Sequence, residues 1–355
     1  MAGNSFGDIF KITTWGESHG KALGVVVDGC PANIEISEDD INIELAKRRP
    51  GFSEYVTPRK EDDKVEILSG IFNGKTLGTP ISMLIYNKNV KSEHYKNIEG
   101  VFRPGHADYT YYKKYGCYDW RGGGRASARE TAARVAAGAV AKKILDKYGI
   151  KVIAYTKEYA GISVKKTDYD FIYKNEFYFP DKKQVEKVRF IAEEVKEKGD
   201  SVGGIVECIV KGVFAGLGEP VFDKLEAVLA HAVLSIGATK GIEFGRGFEA
   251  AKIRGSENND EITSDGFVSN NAGGILGGIS NGEDLIFRVP VKPIPSISKS
   301  QRTININNEE LEIEIKGRHD ISAIPRIVPV IESMTSIVIA DFLLKYYALK
   351  LMKGY

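Results

Sequence analysis

The sequence predicts an α+β fold with mostly antiparallel strands and helices packed on the sheets. Short runs of β-branched and apolar residues pair across glycine-containing turns, as at 10–14 and 23–27. Long helical patterns follow such strand pairs, without the regular strand–helix alternation typical of a parallel sheet. Each half of the chain shows this order, which hints at an internal duplication although no sequence period repeats.

Local signals place the other elements along the chain. Ser37 begins a short helix that stops near Pro50, and alternating residues predict strands at 64–72 and 81–86. No linker marks a boundary, so we predict a single domain, residues 1–355. The further predicted helices are 128–148, 185–198, 222–235 and 327–351, and the further predicted strands are 150–155, 204–213, 284–290 and 311–316.

Composition excludes several classes of function. Lys and Arg number 49 against 48 Asp and Glu, so no global field attracts the chain to nucleic acid or a membrane. The apolar C-terminal stretch is interrupted by Asp341, Lys345 and Lys350, and we expect neither a membrane span nor a secretion signal. Three cysteines without a paired spacing predict free thiols in a reducing cytoplasm.

The segment 119–134 is the strongest local signal, because it combines three consecutive glycines, an alanine-rich helix start and four arginines. Ser127 and Glu130 fit a capping box, which predicts that the helix begins there. A helix N-terminus with guanidinium groups around it favours phosphate or carboxylate. The alternative is a solvated face whose arginines pair with acids elsewhere; Glu130 is the local acid. The arginines are Arg121, Arg125, Arg129 and Arg134.

Three histidines, His19, His106 and His319, lie in polar turn motifs flanked by glycine or proline, as proton donors near neutral pH do. His231 fits the apolar face of a helix and His94 a surface loop. Ser18 lacks the strand–Ser–helix context of a nucleophile elbow. The sequence carries no metal-ligand spacing and no phosphate-binding P-loop, so we predict no metal site and no kinase.

Seven motifs in order resemble chorismate synthase, the last enzyme of the shikimate pathway. They occupy 16–20 (GESHG), 48–51 (RRPG), 103–108 (RPGHAD), 119–137, 271–278 (NAGGILGG), 292–293 (KP) and 317–320 (GRHD). The resemblance implies a β-α-β sandwich with long helices between two antiparallel sheets, internal pseudo-duplication and a homotetramer. It also implies 1,4-anti elimination of phosphate from 5-enolpyruvylshikimate 3-phosphate, with reduced FMN and no net redox change.

The resemblance also implies residue roles. His19 would protonate the departing phosphate, His106 would protonate the reduced flavin, and Asp341 would take up the C6 proton through flavin N5. Ser18 and Ser127 would support proton relays. Sequence alone reads Asp341 as a surface acid on an amphipathic helix. Substrate anions would bind Arg48, Arg129 and Arg134. The flavin would contact Arg48, Arg125, Ala126, Ser127, Gly237, Ala238, Gly277, Lys292, Pro293, Ile294, Pro295, Ser296 and Arg318.

One position departs from the family pattern. Many members carry a second arginine six residues after the one matching Arg48, where this chain has Glu54. Arg59 or Lys60 could supply the missing cation. The sequence shows no dinucleotide-binding glycine fingerprint, so we expect an external flavin reductase rather than NADPH-dependent reduction by the chain itself. The competing functions are a nucleic-acid-binding module, opposed by the net charge, and a flavin reductase.

Overall fold

The computed structural model describes residues 3–49, 63–88, 98–315 and 320–351. The helices are α1 Glu38–Arg48, α2 Asp108–Tyr115, α3 Thr131–Asp146, α4 Val185–Glu197, α5 Leu225–Leu234, α6 Gly255–Asn258 and α7 Ile324–Leu351. The strands are β1 Ser5–Phe6, β2 Lys11–Trp15, β3 Ala22–Asp28, β4 Val65–Ile67, β5 Ile71–Phe72, β6 Lys75–Thr76, β7 Ile81–Tyr86, β8 Lys151–Tyr159, β9 Ile162–Ser163, β10 Gly204–Lys211, β11 Glu243–Phe244, β12 Ile262–Thr263, β13 Gly266–Phe267, β14 Ile275–Leu276, β15 Ile279–Ser280, β16 Leu285–Val291, β17 Gln301–Ile304 and β18 Glu310–Ile313.

Two five-stranded antiparallel sheets carry the fold. The first has the order β1-β2-β3-β7-β4 and the second β11-β16-β10-β8-β9. In the first sheet Val25 lies opposite Met83, and in the second Cys208 lies opposite both Ala154 and Phe287. Burial alternates along β7, so one face of the first sheet is turned to the core.

Helices α3 and α7 lie against each other and against opposite sheets. Helix α3 packs mainly on β2, β3 and β7 and also touches β8, whereas α7 packs on β8 and β10. One cluster of buried apolar side chains includes residues of both sheets and both helices. These observations confirm the predicted α+β class with antiparallel sheets. The prediction of a single domain stays a prediction.

Most predicted elements are confirmed, with small shifts at their ends. Ser37 caps α1 through a capping box with Asp40, since each side chain bonds the backbone amide of the other residue. The predicted capping box at Ser127 is wrong in one half. Ser127 accepts a hydrogen bond from the Arg129 amide in a 3-10 turn, but the Glu130 carboxylate bonds Arg134 instead. The elements that the sequence did not predict include α2, α6, β17 and most of the two-residue strands.

His231 corrects another expectation. Its imidazole is exposed rather than buried in the core, and it meets the ring of Phe6 edge-on with centroids 5.3 Å apart. The apolar pattern of α5 placed it wrongly because its neighbours Leu229, Ala232 and Val233 hold the buried face.

Helix α7 is long and apolar enough to cross a membrane by length and composition. Within the fold, however, 94% of its apolar window is buried. The core of the protein therefore accounts for its apolar character. This is the pattern of a central core helix, which a membrane span shares only in composition.

Gly138 marks the closest approach of α3 to α7. A Cβ at this position would lie 2.7 Å from Cα of Ser333, in the middle of α7. In an exposed helix the change Gly→Ala stabilises by about 1 kcal/mol. Here we expect Gly138→Ala to lower the free energy of unfolding by about 1–3 kcal/mol, because the added methyl group forces the helices apart. Denaturant unfolding measures the difference; a more stable variant would contradict this packing.

Candidate active site

A cavity of about 670 Å³ lies at the N-terminal ends of α3 and α7. Its size is in the range of sites for small molecules. The first turns of both helices contribute to its wall, and helix N-termini favour anions. Six segments contribute to its lining, within 3–4, 103–111, 122–134, 235–240, 292–296 and 320–330. Their residues include Arg103, Gly105, His106, Gly122, Arg125, Ala126, Ser127, Glu130, Thr131, Arg134, Gly237, Ala238, Lys240, Lys292, Ile294, Pro295, Ser296, Asp320 and Arg326.

Residues 122–124 form a glycine turn, and two histidine side chains lie on the side where Cβ atoms would project from it. Gly122 and Gly123 have φ values of 81° and 91°, which L side chains rarely adopt. A Cβ at Gly122 would lie 2.8 Å from Nε2 of His19, and one at Gly123 would lie 2.7 Å from Cε1 of His106. Adjacent glycines therefore bring both imidazoles to the same short stretch of backbone, although only His106 is among the residues that line the cavity.

A carboxylate fixes the orientation of His106. Its Nδ1 lies 2.7 Å from Oδ1 of Asp108. The two carboxylate oxygens of Asp108 also accept hydrogen bonds from the Arg103 guanidinium, Oδ2 from Nε and Oδ1 from Nη2. Burial alone would raise the pKa of Asp108, but the hydrogen bonds from Arg103 and His106 outweigh it and hold that pKa well below its ordinary value. A permanently ionised Asp108 assigns the Nδ1 proton to His106, leaving Nε2 available for proton transfer.

Arg125 and Arg134 line the cavity, and each is oriented by protein acceptors. Arg125 Nη2 donates to Oγ1 of Thr14 at 2.8 Å. Arg134 pairs with Glu130 at 2.9 Å and donates to Oγ of Ser235 at 2.6 Å. The arginines of 119–134 are therefore paired within the protein in part, as the alternative interpretation predicted. The guanidinium groups of Arg125 and Arg134 nevertheless remain at the cavity.

Arg48 and Arg129 share one buried carboxylate. Asp63 accepts a hydrogen bond from Arg48 Nη1 at 3.2 Å and another from Arg129 Nη1. Arg48 Nε also donates to Thr131, which lines the cavity. Asp63 lies 66 residues before Arg129, so the local charge pattern of 119–134 could not reveal it.

The 292–296 segment and the 237–238 turn form a joined wall. The Lys292 amide donates to the Ala238 carbonyl at 2.9 Å, and Lys292 Nζ donates to the Gly105 carbonyl at 2.7 Å. Burial, together with the charge of Lys240, lowers the pKa of Lys292. Ala238 has φ 74°, a left-handed conformation that is strained for alanine and common at functional turns.

Comparison with known proteins decides the family. A family model described as chorismate synthase matches residues 10–344. The chain belongs to the chorismate synthase family. It is 57% identical over 344 residues to the chorismate synthase of Syntrophobacter fumaroxidans, covering 97% of this chain and 98% of that one. It is 55% identical over 350 residues to that of Archaeoglobus fulgidus, covering 96% and 97%.

A solved structure titled as a crystal structure of chorismate synthase has the same fold. Its TM-score is 0.76 at 36% identity, and the match covers 94% of this chain and 91% of that one. Chorismate synthases are lyases, and the family uses reduced FMN. The chain therefore has the chorismate synthase function that its sequence motifs indicated.

The chorismate synthase motifs do not all reach the cavity. Gly277 lies in the exposed turn between β14 and β15 and is not among the residues lining the cavity. Glu54, Arg59, Lys60 and Arg318 lie outside the described residues. Ser18 contacts the glycine turn through its amide, which donates to the Gly124 carbonyl at 3.4 Å.

Asp341 lies in surroundings that the sequence did not predict. Its Oδ1 accepts hydrogen bonds from the Ile9 and Phe10 amides at 2.7 and 2.8 Å, and Lys345 lies 3.0 Å from Oδ2. Asp341 is buried, so it is not the surface acid of the sequence alternative, and it does not line the cavity. These contacts tie the N-terminal segment to α7.

The charged residues of the cavity that the sequence did not single out include Lys240, Asp320 and Arg326. Nε of Arg326 lies 3.3 Å from Oδ2 of Asp320, an ion-pair distance. The signal was present, because Asp320 ends the GRHD motif and Arg326 follows it at the start of α7. The resemblance assigned the role of the functional carboxylate to Asp341 in α7 and therefore gave none to Asp320.

Proposed function

We propose that the chain eliminates phosphate from 5-enolpyruvylshikimate 3-phosphate to give chorismate, with reduced FMN bound in the same cavity. The C6–H and phosphate C–O bonds break, a new double bond forms, and phosphate leaves with a proton, without net redox change. The observation that carries the proposal is His106, held by Asp108 against the glycine turn of a cavity that cations line.

The cavity has the features that FMN requires. Its volume of about 670 Å³ suits a drug-sized ligand, and Lys292 offers a cation beside the strained Ala238 turn. We propose that Lys292 to Ser296, Gly237, Ala238 and Arg125 to Ser127 hold FMN. When bound by these residues, reduced FMN would supply an electron-rich ring and would undergo no net change over a turnover.

The histidines divide the proton transfers. His19 is proposed to protonate the departing phosphate, and His106 to hold a proton at Nε2 beside the flavin ring. Ser127 serves as the cap of a 3-10 turn and lines the cavity, so a relay role is compatible with its position. Ser18 lies against the same glycine turn. Arg129 and Arg134 are proposed to hold substrate anions, with Arg48 orienting Arg129 through Asp63.

The carboxylate that receives the C6 proton is proposed to be Asp320, because it lines the cavity and Asp341 does not. We expect Asp320→Asn to reduce turnover by about 10²-fold or more, with a smaller loss of unfolding temperature than Asp341→Asn. Asp341→Asn should act mainly on stability, since it weakens the bonds to the Ile9 and Phe10 amides. Steady-state rates and thermal melts of the two variants separate the roles, and the reverse pattern would return the role to Asp341.

Three further properties are proposed by membership of the family. The two sheets with α3 and α7 between them fit a β-α-β sandwich with internal pseudo-duplication. Membership of the family alone supports assembly as a homotetramer. We propose a cytoplasmic location, supported by Cys30, Cys117 and Cys208 as free thiols. An external reductase is proposed to supply reduced FMN, since the sequence lacks a dinucleotide fingerprint.

An anaerobic assay tests this function. The purified chain with chemically reduced FMN and 5-enolpyruvylshikimate 3-phosphate should release inorganic phosphate and form chorismate in equal amounts. Oxidised FMN alone should support no sustained turnover. Adding NADPH and oxidised FMN without a reductase should also give none. Failure to release phosphate by folded protein with reduced FMN would refute the proposed reaction.

A further inference from the structure

Arg326 differs from the other arginines of the cavity in its hydrogen bonds. Arg103, Arg125 and Arg134 each donate to carboxylate, hydroxyl or carbonyl oxygens. In Arg326 both Nε and Nη2 are buried, and neither has a hydrogen-bond partner among the residues that the structure describes. The Asp320 oxygen at 3.3 Å from Nε is close enough for an ion pair, but the contact does not satisfy hydrogen-bond geometry.

Unsatisfied guanidinium donors are costly. A buried polar group without a partner loses its hydration and gains nothing in return, and a charged group loses most. Such groups in folded proteins are rare and mark strain, function or a missing ligand. The Arg326 side chain is 16% exposed and lines the cavity, so the partner it lacks can enter from there.

We infer that Arg326 binds an anionic oxygen group, a carboxylate or phosphate, of a molecule bound in the cavity. The planar fork of a guanidinium matches either group with two parallel hydrogen bonds. Both nitrogens are closed off from solvent, so binding requires the guanidinium to rotate from Asp320 into the cavity. The inference rests on the proposed function, under which substrate and FMN both carry such groups.

Arg326 lies beside the cavity at the positive end of a helix dipole. It lies in the first turn of α7, with Ala323 and Ile327 beside it on the cavity wall. The positive end of the helix dipole adds to its charge, so an anion there is held by both. Asp320 offsets that charge when no ligand is bound. An entering anion takes the place of Asp320 as the partner of Arg326.

The binding experiment uses Arg326→Met, Arg326→Lys and, as a matched control, Arg302→Met, which removes an exposed arginine on β17. Dissociation constants are measured without turnover, for oxidised FMN by flavin fluorescence and for 5-enolpyruvylshikimate 3-phosphate by calorimetry. We expect Arg326→Met to weaken one ligand by about 10- to 100-fold. Arg326→Lys keeps the charge but loses the planar guanidinium, so its dissociation constant should lie between those of the wild type and Arg326→Met. The weakened ligand identifies whether flavin phosphate or a substrate anion is bound.

The unfolding temperature separates ligand binding from a structural role. Arg326→Met removes two buried donors that lack hydrogen-bond partners but also the ion pair with Asp320, so these effects oppose each other and the ligand-free variant should melt close to Arg302→Met. A large loss of stability together with weak binding would show a structural residue and overturn the inference. So would dissociation constants of both ligands within about twofold of wild type. Failure of the wild-type protein to bind either ligand would instead refute the proposed function.

Discussion

Replacement of His106 by alanine is expected to reduce turnover by about 10²–10⁴-fold, the range for loss of a general acid–base group. The physical reason is the geometry around the ring. Asp108, itself held by Arg103, fixes Nδ1, and the missing Cβ of Gly123 leaves room for the imidazole beside the glycine turn. Turnover with saturating reduced FMN and the phosphorylated substrate is the measurement.

His231→Ala is the matched control for this variant, because His231 is an exposed imidazole on α5 that lies outside the cavity. It should retain wild-type turnover. Asp108→Asn adds a second comparison, since the amide keeps the shape but loses the charge that orients His106. We expect it to lower turnover less than His106→Ala. A His106→Ala enzyme within about threefold of wild type would remove His106 from the mechanism.

Replacement of Asp63 by asparagine is expected to lower the free energy of unfolding by about 3–5 kcal/mol. The carboxylate is 1% exposed and lies between two guanidinium groups that are themselves buried. Asparagine keeps the size of the side chain but removes the negative charge that faces both cations. Desolvated cations without that charge destabilise the fold strongly.

Denaturant unfolding of ligand-free protein measures this effect. Asp168→Asn is the control, because the Asp168–Lys182 ion pair is exposed and surface pairs contribute little. We expect the control to unfold like the wild type. Equal stability of the Asp63 variant and the wild type would show that Asp63 does not neutralise Arg48 and Arg129. The Asp63 variant should also bind substrate more weakly, because Arg129 loses its orientation.

The sequence predicted strands and helices well where the local pattern of apolar residues determines them. Strand β7 and helix α4 were found with their ends nearly correct, because apolar periodicity reports which face meets the core. The capping box at Ser127 failed because Arg134, one helical turn ahead, attracts the Glu130 carboxylate more strongly than the backbone does.

The sequence could not predict which residues pair with the buried charged side chains. Arg129 meets Asp63 across 66 positions, and Asp341 meets the Phe10 amide across 331. No local pattern encodes such pairs, since the sheets and α7 bring them together. The choice between Asp320 and Asp341 depended on the same kind of contact. Motifs therefore predicted the family, and three-dimensional contacts distinguish ligand-facing residues from structural ones.

The most direct test is a crystal structure of the chain with oxidised FMN and 5-enolpyruvylshikimate 3-phosphate, a pair that does not turn over. Both ligands are predicted in the cavity at the N-terminal ends of α3 and α7, with His106 Nε2 and an Asp320 oxygen within hydrogen-bond distance of them. Binding of either ligand elsewhere, for example in the groove between α1 and α3 near Glu44 and Lys142, would contradict this assignment.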